Sequence, residues 1–273
     1  MTDTINDIAQ FAQHTAKQAG ALVRQLREET LLSTDFKQGI ELVTNADTAA
    51  DDFIREAIEK RFPQHQILAE ESNPDIDSIE FSGQSVWVVD PIDGTVNYAH
   101  GHAQVAISIA LIIDGTIEIG VVYNPFTDEL FHATKNGGAF LNEQSITASH
   151  KQNLNRALVA TGFPYDKTQN LPELINNLHQ ILKHVADVRR LGSAALDICW
   201  VACGRLDAYY ETVSLWDCAA GLLIASEAGV TCGHFSSPAS KQFAHLDPNC
   251  LLLATPKLYD PLHAILNQKP VID

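Results

Sequence analysis

The stretch "WVVDPIDGTVN", residues 87–97, decides the reading of this chain. Trp87, Val88 and Val89 form an apolar run without polar alternation, the pattern of a strand buried on both faces. The run delivers Asp90 at its end. Pro91 turns the chain and has no N–H to donate, so the Ile92 carbonyl is expected to face outward. Asp93 then swings back beside Asp90. Gly94 carries no side chain and lets a ligand approach the backbone. Thr95 and Val96 begin a helix whose first N–H groups have no partner within the helix. Paired carboxylates suit a hard cation, and a helix N-terminus suits an anion. A phosphate bound through magnesium satisfies both. Asp-Pro-x-Asp-Gly is also ordinary turn chemistry, so a purely structural reading stands beside the functional one.

Two further segments weigh against the turn alone. Glu70 and Glu71 end the strand predicted from "QILAEES" (66–72), and Asp217 starts the helix predicted from "LWDCAAG" (215–221). Asp47 lies near the first turn of a helix predicted over 45–62, with Asn45 or Asp47 as its cap. These acids supply ligands for two or three magnesium ions. Phosphatases with an aspartate nucleophile use D-x-D-G-T at a strand end. Here the spacing from Asp90 to Asp93 is D-x-x-D-G-T, which removes the paired orientation of nucleophile and acid and favours metal-activated water.

Around this centre, residues 5–28 place Ile5, Ile8, Ala12, Ala16, Ala19 and Val23 at helical spacing. "TDFKQGIELVT" (34–44) suggests two short strands around Gly39. "QVAISIALI", "TIEIGVVYN" and "ELFHATK" form an antiparallel meander joined by Asp114-Gly115 and a turn near Pro125. After about residue 150 strands and helices alternate. Helices are expected at 168–184, 193–204, 215–229 and 257–267, with Gly204 and Gly229 closing two of them. The segment 231–249 reads as a loop. The expected fold is α+β, a layered α-β-α-β-α sandwich, in a single domain over 1–273. Its halves are an antiparallel sheet with two helices to about residue 150 and an α/β half from 151 onward.

With 273 residues the chain can bury a large core. Its 34 acidic and 18 basic residues give a net charge of −16, which argues against a broad nucleic-acid-binding face. "MTDTINDIAQFAQHTAKQAG" lacks the pattern of a secretory signal, and "VAISIALII" (105–113) is too short to span a bilayer. A cytoplasmic protein without membrane contact is expected. The five cysteines contain no C-x-x-C; Cys199 and Cys203, one helical turn apart, read as small buried thiols in a reducing compartment. Cys232 and His234 are too few to make a zinc site.

In order along the chain, "LVTNAD" (42–47), "AEES" (69–72), "WVVDPIDGTVN", "VATGFPY" (159–165), "RRLGSAALDICWVACGRLDAYYE" (189–211) and "WDCAAG" (216–221) resemble the inositol monophosphatase family of magnesium-dependent, lithium-sensitive phosphatases. The likeness covers nearly the whole chain and leans toward the bacterial inositol-1-monophosphatase branch. It implies that Glu70, Asp90 and the Ile92 carbonyl hold a first magnesium ion. Asp90, Asp93 and Asp217 would hold a second, and Glu70 with waters a weaker third. By the same resemblance Asp47 and Thr95 position and deprotonate the attacking water, with Glu70 beside them in the catalytic group. The N–H groups of Gly94 and Thr95 cradle the phosphate. Asp93, Glu211 and the backbone around Gly192, Ser193 and Ala194 border the substrate. Lys37 and Gly39 fall in a loop that covers the metals in this family, where Lys37 reads as an ordinary surface lysine.

Three departures stand out. Val96 replaces a second hydroxyl residue, "HAQ" (102–104) replaces apolar residues, and 231–249 lacks a glycine pair. Val96 is expected to point away from the metals and the second to form a polar rim. The implied function is hydrolysis of myo-inositol 1-phosphate by a homodimer. Fructose 1,6-bisphosphate, histidinol phosphate and 3′-phosphoadenosine 5′-phosphate are alternative substrates, and a regulatory partner-binding protein is an alternative role. Arg189-Arg190 could serve a second phosphate, but is expected at a subunit interface or the pocket edge.

Overall fold

Helix α1 (Ile5–Glu28) turns Ile8, Ala12, Ala16, Ala19 and Val23 inward along one face, as their spacing predicts. This computed structural model describes residues 3–29, 34–37, 41–164, 171–237 and 243–267. Strands β1 (Thr34–Lys37) and β2 (Glu41–Thr44) pair antiparallel. Gly39, at the expected turn between them, lies outside the described residues, and Lys37 is described by its backbone alone. Helix α2 (Asn45–Arg61) follows. Its cap is Thr44, which corrects the expectation of Asn45 or Asp47. Asp47 stands at the third helical position and closes a capping box back onto Thr44.

Seven strands then form one sheet in chain order: β3 (Gln66–Ala69), β4 (Ser85–Asp93), β5 (Ala106–Ile113), β6 (Thr116–Asn124), β7 (Glu129–Thr134), β8 (Gly138–Leu141) and β9 (Gln144–Ser145). β3 and β4 run parallel and the others antiparallel. Strand β4 does not end at Asp90. It continues through Pro91 to Asp93 across a bulge against β5, because a bulge is one of the few places in a sheet that accept a residue without an N–H. Helix α3 (Thr95–Ala99) leaves directly from Gly94.

A second sheet holds β10 (Leu158–Thr161), β11 (Asp187–Arg189), β12 (Ala208–Glu211), β13 (Thr231–His234) and β14 (Leu251–Ala254), in the order β11-β10-β12-β14-β13. β13 corrects the loop expected from 231: Thr231–His234 pairs antiparallel with β14. Among the described residues the α-helices that follow are α4 (Leu171–Leu182), α5 (Ala194–Ala202), α6 (Leu215–Glu227) and α7 (Pro256–Leu266).

The layers follow from which side chains each strand shares. Trp87 and Val89 of β4 pack with Ile8, Ala12 and Ile54 of α1 and α2. Val86 and Val88, on the opposite face, pack with Leu196, Ala219 and Leu253. The run from Val86 to Val89 in β4 is apolar without a break because it is covered on both sides. Helices α5 and α6 thus lie between the two sheets, while Ile181 of α4 and Leu258 of α7 pack on the outer face of the second. The α-β-α-β-α sandwich is the expected one.

Helix α6 approaches β6 at Gly120, where a Cβ would stand 2.4 Å from the Ala220 carbonyl oxygen. Gly120→Ala therefore forces α6 outward. It should cost about 1–3 kcal/mol in urea denaturation. Because Asp217 lies one turn before Ala220, the same variant should also displace that carboxyl.

Candidate active site

Asp90, Asp93 and Asp217 meet where β4, α3 and α6 converge. One carboxylate oxygen from each lies within 4.8 Å of the others. Glu70, just past β3, and Ile92 line the same cavity, which has a volume of about 260 Å³. Asp90 is buried, and Ile92 N–H donates to its Oδ1 at 2.9 Å, which sets the side chain across the bulge. The Ile92 carbonyl oxygen lies 3.1 Å from Thr95 Oγ1 and has a second lone pair besides. Gly94 adopts φ +95°, a left-handed conformation, and a Cβ there would stand 2.8 Å from the Gln104 carbonyl oxygen. Both facts demand glycine where β4 becomes α3.

Asp93 is held by the start of α5. Ser193 Oγ donates to its Oδ2 at 2.5 Å, Ala195 N–H to Oδ2 at 2.8 Å and Ala194 N–H to Oδ1 at 3.3 Å. Ser193 and Ala194, expected to border the substrate, line a smaller chamber beside that cavity and also hydrogen-bond to Asp93. Asp217 closes a capping box on α6, accepting from Ser214 N–H at 2.7 Å.

Asp47 ties the site to α2. Its Oδ2 accepts from Thr44 N–H at 2.8 Å and Thr44 Oγ1 at 2.5 Å. Its Oδ1 lies 3.0 Å from Thr95 Oγ1. Glu211, at the end of β12, accepts from Tyr209 Oη at 2.7 Å and lies over Gly162, where a Cβ would stand 2.1 Å from its oxygens.

These acids are out of their ordinary range. Burial pushes Asp93 up to about 6, Asp217 up to about 8 and Glu211 up to about 7. Asp90 is raised well above the usual carboxylate range by burial, then by the charges of Glu70, Asp93 and Asp217. Burial also raises Asp47. Clustered carboxylates that repel one another out of water form an oxygen donor set that a divalent cation relieves. The residues present therefore fit the magnesium expected.

Other expectations resolve as follows. Val96 is exposed, away from the acids. His102 does not line the acidic cavity; its carbonyl accepts from Arg27 Nη1 at 2.8 Å. Arg189 pairs with Asp187 at 2.5 Å, while Arg190 lines the pocket beside Asp93 and Glu211. The five cysteines are free thiols. Burial raises Cys199 and Cys203, and among the described residues only the three aspartates form a metal-ligating cluster. His234 is hydrogen-bonded to the Asp247 carbonyl at 2.9 Å. Sequence reasoning missed Thr44, Tyr209 and Asp197. An acid between Leu196 and Ile198 in the apolar helix "AALDICWVA" was the available signal for the last.

A model of the inositol monophosphatase family matches residues 5–270. The chain is 37% identical over 257 residues to the Nus factor SuhB of Pasteurella multocida, covering 93% of each. It is 39% identical over 240 residues to the inositol-1-monophosphatase of Synechocystis sp., covering 84% of this chain and 83% of that one. Among solved structures, the extragenic suppressor protein suhB from Bartonella henselae superimposes with a TM-score of 0.87 at 31% identity, over 96% of this chain and 99% of that one. With its bulged Asp-Pro-Ile-Asp-Gly-Thr strand and the acids gathered on it, the chain belongs to the inositol monophosphatase family of phosphatases.

Proposed function

We propose that the protein catalyses magnesium-dependent hydrolysis of a small phosphate monoester, with myo-inositol 1-phosphate as the substrate. The observation that carries this reading is the joining of two buried aspartates, the half-buried Asp217, a helix start and Thr95, itself hydrogen-bonded to Asp47, around one cavity. Glu70, Asp90 and the Ile92 carbonyl would hold one ion, and Asp90, Asp93 and Asp217 a second; Glu70 could share a third. Bound there, magnesium supplies positive charge to the phosphoryl oxygens and acidifies water.

The chain's own groups do the rest. The N–H groups of Gly94 and Thr95, at the first turn of α3, bind the phosphate oxygens. Thr95 Oγ1 donates toward Asp47 and presents its lone pair to an attacking water. Asp47 accepts the proton, and the burial that raises its pKa makes it a better base. Glu211, fixed by Tyr209, accepts a hydroxyl of the leaving alcohol.

Phosphate release tests the reading. Myo-inositol 1-phosphate, fructose 1,6-bisphosphate, histidinol phosphate and 3′-phosphoadenosine 5′-phosphate are offered with and without magnesium. Release that requires magnesium and is fastest on the first supports it; no release from any of the four sinks it. Thr95→Val should lower kcat about 10²–10⁴-fold, the range of a lost acid–base contribution, while magnesium affinity holds. Lithium inhibition would follow if the Asp90–Asp93–Asp217 site takes a small monovalent ion as product leaves.

The name Nus factor carried by the Pasteurella multocida relative favours a second reading, a regulatory protein that binds a partner through its surface. Function that survives Asp90→Asn would select it. We also place the protein in the cytoplasm as a homodimer. No helix among the described residues is long and apolar enough to cross a membrane.

A further inference from the structure

Beside the acidic cavity stands a carboxyl group that the proposed reaction leaves unused. Asp197 lies on α5, one turn beyond the Ser193 cap, and is 1% exposed. Its Oδ1 has no hydrogen-bond partner. Asp207, equally buried, shows how this fold treats a structural aspartate. It takes Ser149 Oγ at 2.6 Å, Lys151 Nζ at 2.6 Å and Leu158 N–H at 2.7 Å. An unclaimed carboxyl in a core is costly, and a ligand that claims it explains its presence.

Asp197 lines a chamber of about 100 Å³ together with Asp93, Gly94, Phe163, Arg190 and Glu211. The chamber adjoins the acidic cavity and shares Asp93, Gly94, Glu211 and Asp217 with it. It has room for about three water molecules, so it takes one edge of a leaving alcohol and not a second ring. Its charged groups are the four carboxyls of Asp93, Asp197, Glu211 and Asp217 against the single guanidinium of Arg190, which lies 6.0 Å from the Phe163 ring centre. Acceptors outnumber donors. A hydroxyl or ammonium group meets this surplus, whereas a second phosphate brings only acceptors and more negative charge.

We infer that Asp197 determines specificity: with Glu211 it reserves this chamber for the hydroxyl-bearing edge of the leaving alcohol and turns away a second phosphate. The inference rests on the proposed reaction, because the phosphoryl group must sit at Gly94 for the alcohol to face Asp197.

The test is calorimetric binding of myo-inositol 1-phosphate and myo-inositol 1,4-bisphosphate to the full chain. Calcium, another hard oxygen-seeking cation, replaces magnesium to limit turnover. Wild type should prefer the monophosphate. In Asp197→Asn the amide offers an N–H donor in place of the carboxyl, and that preference should shrink at least about tenfold. Asp197→Ser, smaller and also a donor, should shrink it as well. The melting temperature of either metal-free variant should hold or rise, since an unclaimed buried acid has been removed. An unchanged preference in both variants overturns the inference and leaves the proposed reaction standing. So does an equal weakening of both ligands with a fall in melting temperature, the mark of a packing aspartate. If wild type neither binds nor hydrolyses either ester, the proposed reaction falls and this inference with it.

Discussion

Asp90→Asn is expected to lower phosphate release by about 10³-fold or more while the fold survives. Each tenfold corresponds to about 1.4 kcal/mol, so the loss is about 4 kcal/mol, within the several kcal/mol a catalytic metal ion contributes. Asparagine keeps Oδ1, which accepts from Ile92 N–H at 2.9 Å, so the bulge that shapes the site is retained. What disappears is a charge facing Glu70, Asp93 and Asp217. Without metal those charges repel one another, so the variant's melting temperature should equal or exceed that of wild type. Phosphate release and thermal melts by circular dichroism check both halves. A fall of more than about 5 °C would show that Asp90 is needed for the fold itself.

The second large effect is a stability that falls as pH rises. Burial holds Asp93 up to about 6 and Asp217 up to about 8, both above the unfolded value of about 3.9. A carboxyl raised by folding keeps its proton where the unfolded chain has lost it. Between about pH 4 and pH 8 the folded state therefore binds more protons, and stability declines with pH across that window, levelling off above it. Below about pH 4 both states are protonated, so the slope vanishes and this stability is fully present. Asp217 is only half-buried, so water screens part of its share. The metal-free protein should lose about 5–10 °C in melting temperature between pH 5 and pH 8. Magnesium should restore more at pH 8 than at pH 5, because binding there displaces fewer protons. A metal-free melting temperature that rises steadily from pH 5 to pH 8 would contradict the placement of these acids.

Much of this site could be read from the residues. "WVVDPIDGTVN" announces a buried strand by its unbroken apolar run, and carboxylates at its end by their spacing. The helices were legible because 3.6-residue periodicity and closing glycines are local signals, as in α1 and α6. Less was legible where distant groups compete. Asp-Pro read as a strand end because proline lacks a ladder donor, but pairing with β5 carries β4 on through a bulge. Asp47 read as a cap, yet Thr44 wins that place and Asp47 completes the box from within the helix. β13 is a four-residue edge strand containing glycine, visible only once β14 lies beside it. Nothing local shows that the Ser193 hydroxyl is claimed by Asp93, 100 residues earlier. Asp197 escaped notice because a lone acid in a helix ordinarily faces water.

Two of the site's acids hold a second office. Asp47 closes the box that starts α2, and Asp217 closes the one that starts α6. In evolutionary terms these positions are selected twice, once for turnover and once for folding. A descendant that gave up the reaction and kept the scaffold as a docking platform would still be under pressure to retain both, since loss of a cap costs about 0.5–2 kcal/mol. Among the described residues neither Asp90 nor Glu70 closes a capping box, and Asp90's charge is expected to weaken the metal-free fold. They would drift first, and their retention in a lineage is the sharper record of catalysis.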